Sequence, residues 1–450
     1  MRMIKRKIEA ELEIFRNRNG KEALLIDGAR QVGKTFIVRE FARRSYRGFV
    51  ELNFIENPEL KRLFRGNWKV KDFFTKLTAV TDVPLVENET LIFLDEVQEC
   101  PEVVTYIKFL VDDGRYHYIL SGSLLGVELK DIRSEPVGYL REVKMFPLDF
   151  EEFIKGLGVK DEVFAHVKSR VESGRPIDEL VHERMMKYFR LYLVVGGMPQ
   201  AVQTYLETNN LSEVKSVQKG IVREYIKDAA KYDRVHRMQI QRVMELIPPE
   251  LNAQNKRFYA TDVRAGEKFE RLEDNFIWLA KAGVAIPVYN TDSPKLPLEL
   301  AKKANLFKLF MNDVGLLATQ YMDGIQLKIL DGEIDVNFGA VYENFAAQEL
   351  YAHGFDNLFF FSSKKHGEVD FLITKDNAVL SLEIKSGADY KRHVALDNMM
   401  KVPEFHLKRA NVYCPSGDIE PGAVSYYPIY ALMFLSHDPV PEEMIYKIDE

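Results

Sequence analysis

The chain is 450 residues long, 46% hydrophobic and 29% charged, with a formal net charge of −6 and a pI near 6.0. This composition excludes a largely disordered or low-complexity protein, and the acidic balance excludes a surface coated for nonspecific nucleic-acid or membrane binding, while leaving room for a local basic groove. The length predicts about two to four domains, and two widely separated cysteines, Cys100 and Cys414, exclude a disulfide framework or zinc cluster and predict a reducing, cytoplasmic setting.

Residues Met1 to Asn19 have helical spacing and heavy charge. The opening MRMIKRKIEAELEIF lacks the apolar stretch of a signal peptide, and no later run approaches about 18 apolar residues, so no membrane span is expected. An apolar strand, Ala23 to Ile26, then runs into GARQVGKT, Gly28 to Thr35, and a helical pattern with apolar Phe36, Ile37, Val38 and Phe41. Strand, glycine loop and helix in this order predict a phosphate-binding loop whose backbone N–H groups wrap a polyphosphate at a helix N-terminus. Its ATP-binding residues are Gly28, Ala29, Arg30, Gln31, Val32, Gly33, Lys34, Thr35 and Phe36. Lys34 reaches the β- and γ-phosphates and the Thr35 hydroxyl binds Mg2+.

Phe49 to Phe54 alternates as a strand and Val70 to Val80 as a helix. Thr90 to Leu94 is a buried-strand run ending in Asp95 and Glu96. A parallel strand delivers acids to its carboxyl edge in this way, predicting Asp95 in the Mg2+ shell and Glu96 as general base for the attacking water. A helix over Val103 to Asp112 leads to a strand over Tyr116 to Leu120, followed by Ser121, Gly122 and Ser123. Ser123 is placed to sense the γ-phosphate, although a helix N-cap explains a serine there equally well.

The segments GARQVGKT, LDEVQECPE, LSGSLLGVELK, PVGYLREVKMFPLDFEEF and YLVVGGMPQAV together resemble the bacterial and archaeal AAA-type ATPases (AAA_14-like) that carry a C-terminal DUF4143-type domain. The resemblance covers nearly the whole chain. It implies a nucleotide site at Gly28, Gly33, Lys34, Thr35, Asp95, Glu96 and Ser123, and puts Arg141 where relatives carry an arginine that touches phosphate in the same or a neighbouring subunit. Here LREVKM departs from the usual glycine-arginine form, and a surface salt bridge is the competing reading of Arg141.

From Leu148 to Lys231 the sequence is helical and polar, as in a lid or connector. Helical patterns at Val235 to Ile247, Ala260 to Ala265 and Glu267 to Ala282, followed by strands at Val284 to Val288 and about Leu296 to Leu300, predict a winged helix. Its recognition-helix candidate carries Lys268 and Arg271 among four acids, Glu267, Glu270, Glu273 and Asp274, which favours packing over DNA reading.

Further on, Gly339 to Leu350 is a helix bearing Glu343. Strands follow at Phe359 to Ser362, at Glu368 to Ile373 with Asp370, and from Val379 into Glu383 and Lys385. Period-two alternation puts Glu383 and Lys385 on one face. This pattern resembles the PD-(D/E)xK nucleases, to which the C-terminal domain of these ATPases is related by resemblance. The resemblance implies Mg2+ on Asp370 and Glu383, with Glu343 completing the shell and Lys385 in a catalytic role.

The expected fold is α/β. It comprises a P-loop domain with a parallel sheet (1–147), a helical connector (148–234), a winged-helix-like module (235–304) and a restriction-endonuclease-like α/β domain (305–450). The expected activity is Mg2+-dependent ATP hydrolysis coupled to a nuclease-like domain that processes DNA. The alternative is a regulatory ATPase whose C-terminal domain is catalytically inactive and binds a protein partner. A homo-oligomer is compatible with either.

Overall fold

A computed structural model describes residues 4–18, 20–66, 68–122, 138–232, 237–253, 256–258, 263, 269–321, 324–332 and 338–439. The chain forms two compact units, neither of them a continuous segment. The first contains Met1–Gly158, Val195–Leu246 and Ala260–Ala285, and the second Val159–Val194, Ile247–Tyr259 and Ile286–Glu450. The stretch expected as a connector is therefore divided between them.

In the first unit, strands β1 (Ala23–Asp27), β2 (Gly48–Asn53), β3 (Thr90–Asp95), β4 (His117–Gly122) and β5 (Leu140–Lys144) form one sheet in the order β2-β3-β4-β1-β5. Every neighbouring pair is parallel. Parallel strands with covered faces need apolar side chains on both sides, which is why ALLID and TLIFLD carry no clean alternation. Helix Lys34–Ser45 buries Ile37, Val38, Phe41 and Ala42, and helix Glu102–Asp113 buries Val103, Val104, Ile107 and Leu110. Both are apolar stripes at helical spacing. The β1 and β3 ends lie at the same edge of the sheet, one strand apart across β4, so register alone brings the glycine loop and the acidic pair together.

Among the described residues the second unit carries seven strands: β6 (Ala285–Thr291), β7 (Lys302–Met311), β8 (Leu358–Ser363), β9 (Gly367–Lys375), β10 (Ala378–Ile384), β11 (Ala410–Cys414) and β12 (Val424–Pro428). Their order is β12-β11-β10-β9-β8-β6-β7. Strand β9 runs antiparallel to both neighbours, and it turns into β10 through Asp376 and Asn377, both at positive φ. Asp and Asn tolerate that conformation, and a two-residue turn of this kind matches the twist of a tight hairpin. One face packs Phe359, Phe361, Val369, Leu372, Leu396 and Val412 into a core.

The wing is corrected by this topology. The strand expected over Val284–Val288 belongs to β6, which pairs in parallel with β8, and Leu298–Ala301 is a 3-10 turn leading into β7. Short apolar runs do not reveal which sheet will accept them, and here the larger sheet does. Residues 260–262 and 264–268, including Glu267 and Lys268, lie outside the described residues, as do the side chains of Glu270, Arg271 and Asp274.

Candidate functional site

The glycine loop follows β1 directly. Gly28 has φ 153°, and a Cβ there would lie 2.2 Å from the Met145 carbonyl oxygen, so the strand-to-loop crossing admits only glycine. Gly33 precedes helix Lys34–Ser45 at φ 99°, and Gln31 adopts φ 65° without being glycine. Strain of this kind persists only where surrounding contacts impose it. Those contacts come from helix Leu211–Tyr232. Its Asp228 Oδ1 lies 2.6 Å from Arg30, its Tyr225 hydroxyl donates to the Arg30 carbonyl at 3.1 Å, and Gln31 Nε2 donates to Glu224 at 2.6 Å. Val32 is buried and its carbonyl accepts from Arg6, while Phe36 is exposed.

Lys34 is buried and its ammonium donates to the carbonyls of Gly28 and Ala29 at 2.7 and 2.8 Å. Burial lowers its pKa, against the pull of Glu96, Asp27 and Asp95. The Thr35 hydroxyl donates to Asp95 Oδ2 at 3.0 Å, and Asn53 donates to the same oxygen at 2.9 Å. Ser121 donates to Oδ1. Burial raises the pKa of Asp95; the Ser121 and Thr35 hydrogen bonds oppose that shift and Glu96 reinforces it. Glu96 follows at φ 58°, a left-handed conformation, with Gln98 donating to its carboxylate.

A hydroxyl and a buried carboxylate in direct contact beside a glycine loop fit a nucleotide-bound Mg2+, since hard oxygen donors are what that ion takes. Ser123 lies outside the described residues. Arg141 is corrected as a phosphate contact. It pairs with Leu24 in the middle of β1, and its guanidinium binds Glu22 at 2.8 Å and Glu11 at 2.5 Å, so the competing salt bridge is what forms. Ser121 and Asn53 were not singled out by sequence reasoning. No local sequence signal marks them: Asn53 closes β2 in register with Asp95, and Ser121 lies one residue before the end of β4, the other neighbour of β3.

The second cluster lies within the second unit. Lys385 Nζ is 2.9 Å from Glu383 Oε1, and Asp370 Oδ2 accepts the Ile384 N–H at 2.8 Å. Helix Gly339–Ala352 buries Glu343, which binds two ammonium groups: Lys256 on Oε1 and Lys308, 3.4 Å away, on Oε2. Lys308 is wholly buried and also lies 2.8 Å from Glu368 and 3.9 Å from Asp370. Burial alone would lower the Lys308 pKa, but Glu343, Glu368 and Asp370 outweigh it and raise it. Burial would raise that of Glu343, which Lys308 and Lys256 instead lower. Burial, then Glu343 and Glu383, raise the pKa of Asp370 well above its ordinary value.

These residues do not fit the Mg2+ shell expected on Glu343, Asp370 and Glu383. Both oxygens of Glu343 already hold ammonium groups, and among the described residues no three His, Cys, Asp or Glu side chains are grouped to hold a metal ion. Sequence reasoning missed Lys256, Lys308 and Glu368. A lysine inside the apolar run LFKLFM and an acid two residues before Asp370 were the readable signals.

Residues 20–154 match the AAA domain family, residues 186–327 a domain of unknown function (DUF8612) and residues 338–432 another (DUF4143). The chain carries an AAA domain and a DUF4143 domain. The middle match begins inside the stretch read as a connector (148–234), covers the winged-helix-like stretch (235–304) and runs on to residue 327, inside the stretch read as the C-terminal domain. MJ1544, an uncharacterized protein of Methanocaldococcus jannaschii, is 23% identical over 369 residues, covering 79% of this chain and 73% of that protein. The Walker-type ATPase PABY2304 of Pyrococcus abyssi is similar at 14% identity and a TM-score of 0.44, over 71% of this chain and 96% of its own. The ORC1 protein of Aeropyrum pernix, solved in complex with DNA, is similar at 11% identity and a TM-score of 0.31, over 73% and 93%. Among the described residues no helix is long and apolar enough to cross a membrane.

Proposed function

We propose that the first unit binds ATP with Mg2+ and hydrolyses it. The observation that carries this reading is the 3.0 Å contact between Thr35 and Asp95, two oxygen donors brought together from the helix after β1 and the end of β3. Lys34 swings from the loop carbonyls to meet the phosphate charge, the loop N–H groups hold the phosphate oxygens, and Glu96 takes the proton of the attacking water. Asn53 and Ser121 fix the Asp95 carboxylate. Bound Mg2+ would supply charge neutralisation at the β- and γ-phosphates.

The test is an ATPase and nucleotide-binding assay on the purified chain. Lys34→Ala is expected to abolish binding or turnover, and Glu96→Gln to keep ATP binding while reducing turnover by about 10²-fold or more. Unchanged turnover in Glu96→Gln would remove the general-base role.

For the second unit we infer a role other than metal-assisted cleavage. The observation favouring it is that both oxygens of Glu343 are held by lysines, while Asp370 gives one oxygen to the Ile384 N–H and Glu383 gives one to Lys385, leaving Glu383 Oε2 buried without a hydrogen-bond partner. Incubation with single- and double-stranded DNA and RNA, with Mg2+ or Mn2+ and with and without ATP, is expected to leave all of them intact. Cutting that Lys385→Ala abolishes while ATPase activity persists would overturn this reading.

A further inference from the structure

Four carboxylates of the second unit, Glu343, Glu368, Asp370 and Glu383, face four cationic side chains, Lys256, Arg257, Lys308 and Lys385. The cations equal the carboxylates in number, and burial favours the neutral form of Asp370, so no ion from outside is needed to compensate them. Lys308 is wholly buried, and its nitrogen lies 2.8, 3.4 and 3.9 Å from oxygens of Glu368, Glu343 and Asp370, which come from two different elements. These are the separations of an ammonium among its acceptors. A divalent ion would need oxygens drawn in to about 2.0–2.6 Å. Adding two positive charges to a buried cluster that already holds as many cations as carboxylates would also leave them uncompensated where screening is weak.

The two lysines on Glu343 come from different places. Lys308 is on β7, whereas Lys256 lies in a short segment reached through helix Arg237–Asn252. That segment is fastened to the unit by three consecutive residues. Lys256 binds Glu343, Arg257 binds Ser362 and lies 3.7 Å from Glu368, and the Phe258 N–H donates to the Phe307 carbonyl at 3.0 Å while its ring stacks on that of Phe307. Lys256 holds its position at φ 45°, a conformation that costs energy in a lysine and so has to be repaid by the contacts it makes.

We propose that Lys308 is a resident counter-ion standing where a nuclease-like site would hold its metal, and that with Lys256 it makes a metal-independent ionic clasp fastening the 256–258 segment and β7 to helix Gly339–Ala352 and β9. The clasp holds the second unit in one arrangement whether or not divalent ions are present. It is independent of the ATPase reading, because none of its residues belongs to the nucleotide site.

The experiment uses the full chain without nucleotide. Mn2+ titration followed by electron paramagnetic resonance, alongside thermal melting in Mn2+ and in EDTA, is expected to give no saturable site sensitive to Asp370→Asn or Glu383→Gln, and no change in melting of the second unit. Lys308→Met is expected to lower that melting temperature by roughly 5–10 °C, since removing one partner strands buried carboxylates, and to make it rise again on adding Mn2+. Lys256→Met, whose lysine is partly exposed, is expected to cost less. One Mn2+ per chain in the unmodified protein, lost in Glu383→Gln but kept in Asp95→Asn, would overturn the proposal. So would a Lys308→Met protein that melts like the unmodified one. If Lys308→Met does not fold, the titration of the unmodified chain still decides.

Discussion

Asp95 accepts hydrogen bonds from Thr35, Asn53 and Ser121, each from a different element, so its orientation is over-determined before any nucleotide arrives. The Ser121 hydrogen bond favours the ionised form. Ser121→Ala is therefore expected to move the acidic limb of the ATPase pH profile to higher pH, and to cost about 1 kcal/mol of stability for the lost bond. A pH–rate series on the two proteins checks it, and superimposable acidic limbs would count against it. Asp370 gives a prediction of opposite character. Its folded pKa is raised by burial, Glu343 and Glu383, so its contribution to stability is fully present below the unfolded value and lost as pH rises through the folded one. Asp370→Asn is expected to raise the melting temperature by a few degrees above that folded value, with an advantage that shrinks as pH falls. Melting curves across the pH range provide the measurement, and a neutral-pH loss in Asp370→Asn would mean that its attraction to Lys308 dominates.

Helix Leu211–Tyr232 and the glycine loop form a coupled pair of elements. Tyr225 donates to the Arg30 carbonyl and supports the loop without competing for phosphate, whereas Asp228 puts a negative charge on the Arg30 side chain. The two residues should act in opposite directions on ATP binding. Tyr225→Phe is expected to weaken it about two- to tenfold, the worth of one hydrogen bond, and Asp228→Asn to strengthen it by removing a negative charge beside the phosphate loop. Equilibrium titration with a fluorescent ATP analogue separates these signs; weakening in both would leave only a structural role for Asp228. The loop itself was legible because strand, glycines, lysine and helix are consecutive in sequence, and the AAA domain match covers it. Likewise β3 announced itself by an apolar run closed by two acids. The partners of Asp95 were not legible, since Asn53 and Ser121 reach it only through the register of β2 and β4 against β3. Lys256 and Lys308 were hidden for a related reason. Their charges are conspicuous in the sequence, but their meaning depends on acids that lie between 35 and 87 residues further along the chain.

At the scale of the whole chain, the two units are interleaved, and this determines what can be cut away. The DUF4143 match, residues 338–432, lies wholly within the second unit but does not contain all of its core. Phe189 and Tyr192, both fully buried, come from helix Glu179–Val195. Phe189 packs edge-on against Tyr342 and Phe345, and the Tyr192 hydroxyl accepts from Gln348 at 2.7 Å. Phe164 meets Phe434, and the Ile177 N–H donates to the Gly417 carbonyl at 3.1 Å. A fragment of residues 286–450 would expose Tyr342 and Phe345, leave Gln348 without its tyrosine and strip Glu343 of Lys256. Losing a single buried phenylalanine of this kind costs about 3–5 kcal/mol, a large share of the roughly 5–15 kcal/mol that holds a domain together. The 286–450 fragment is accordingly expected to be unfolded or molten, with secondary structure by far-UV circular dichroism but no near-UV signal and no cooperative melt. A single chain that joins 159–194 and 247–259 to 286–450 through flexible linkers is expected to recover both. A cooperative melt from 286–450 alone would show that the earlier segments decorate the second unit instead of completing its core.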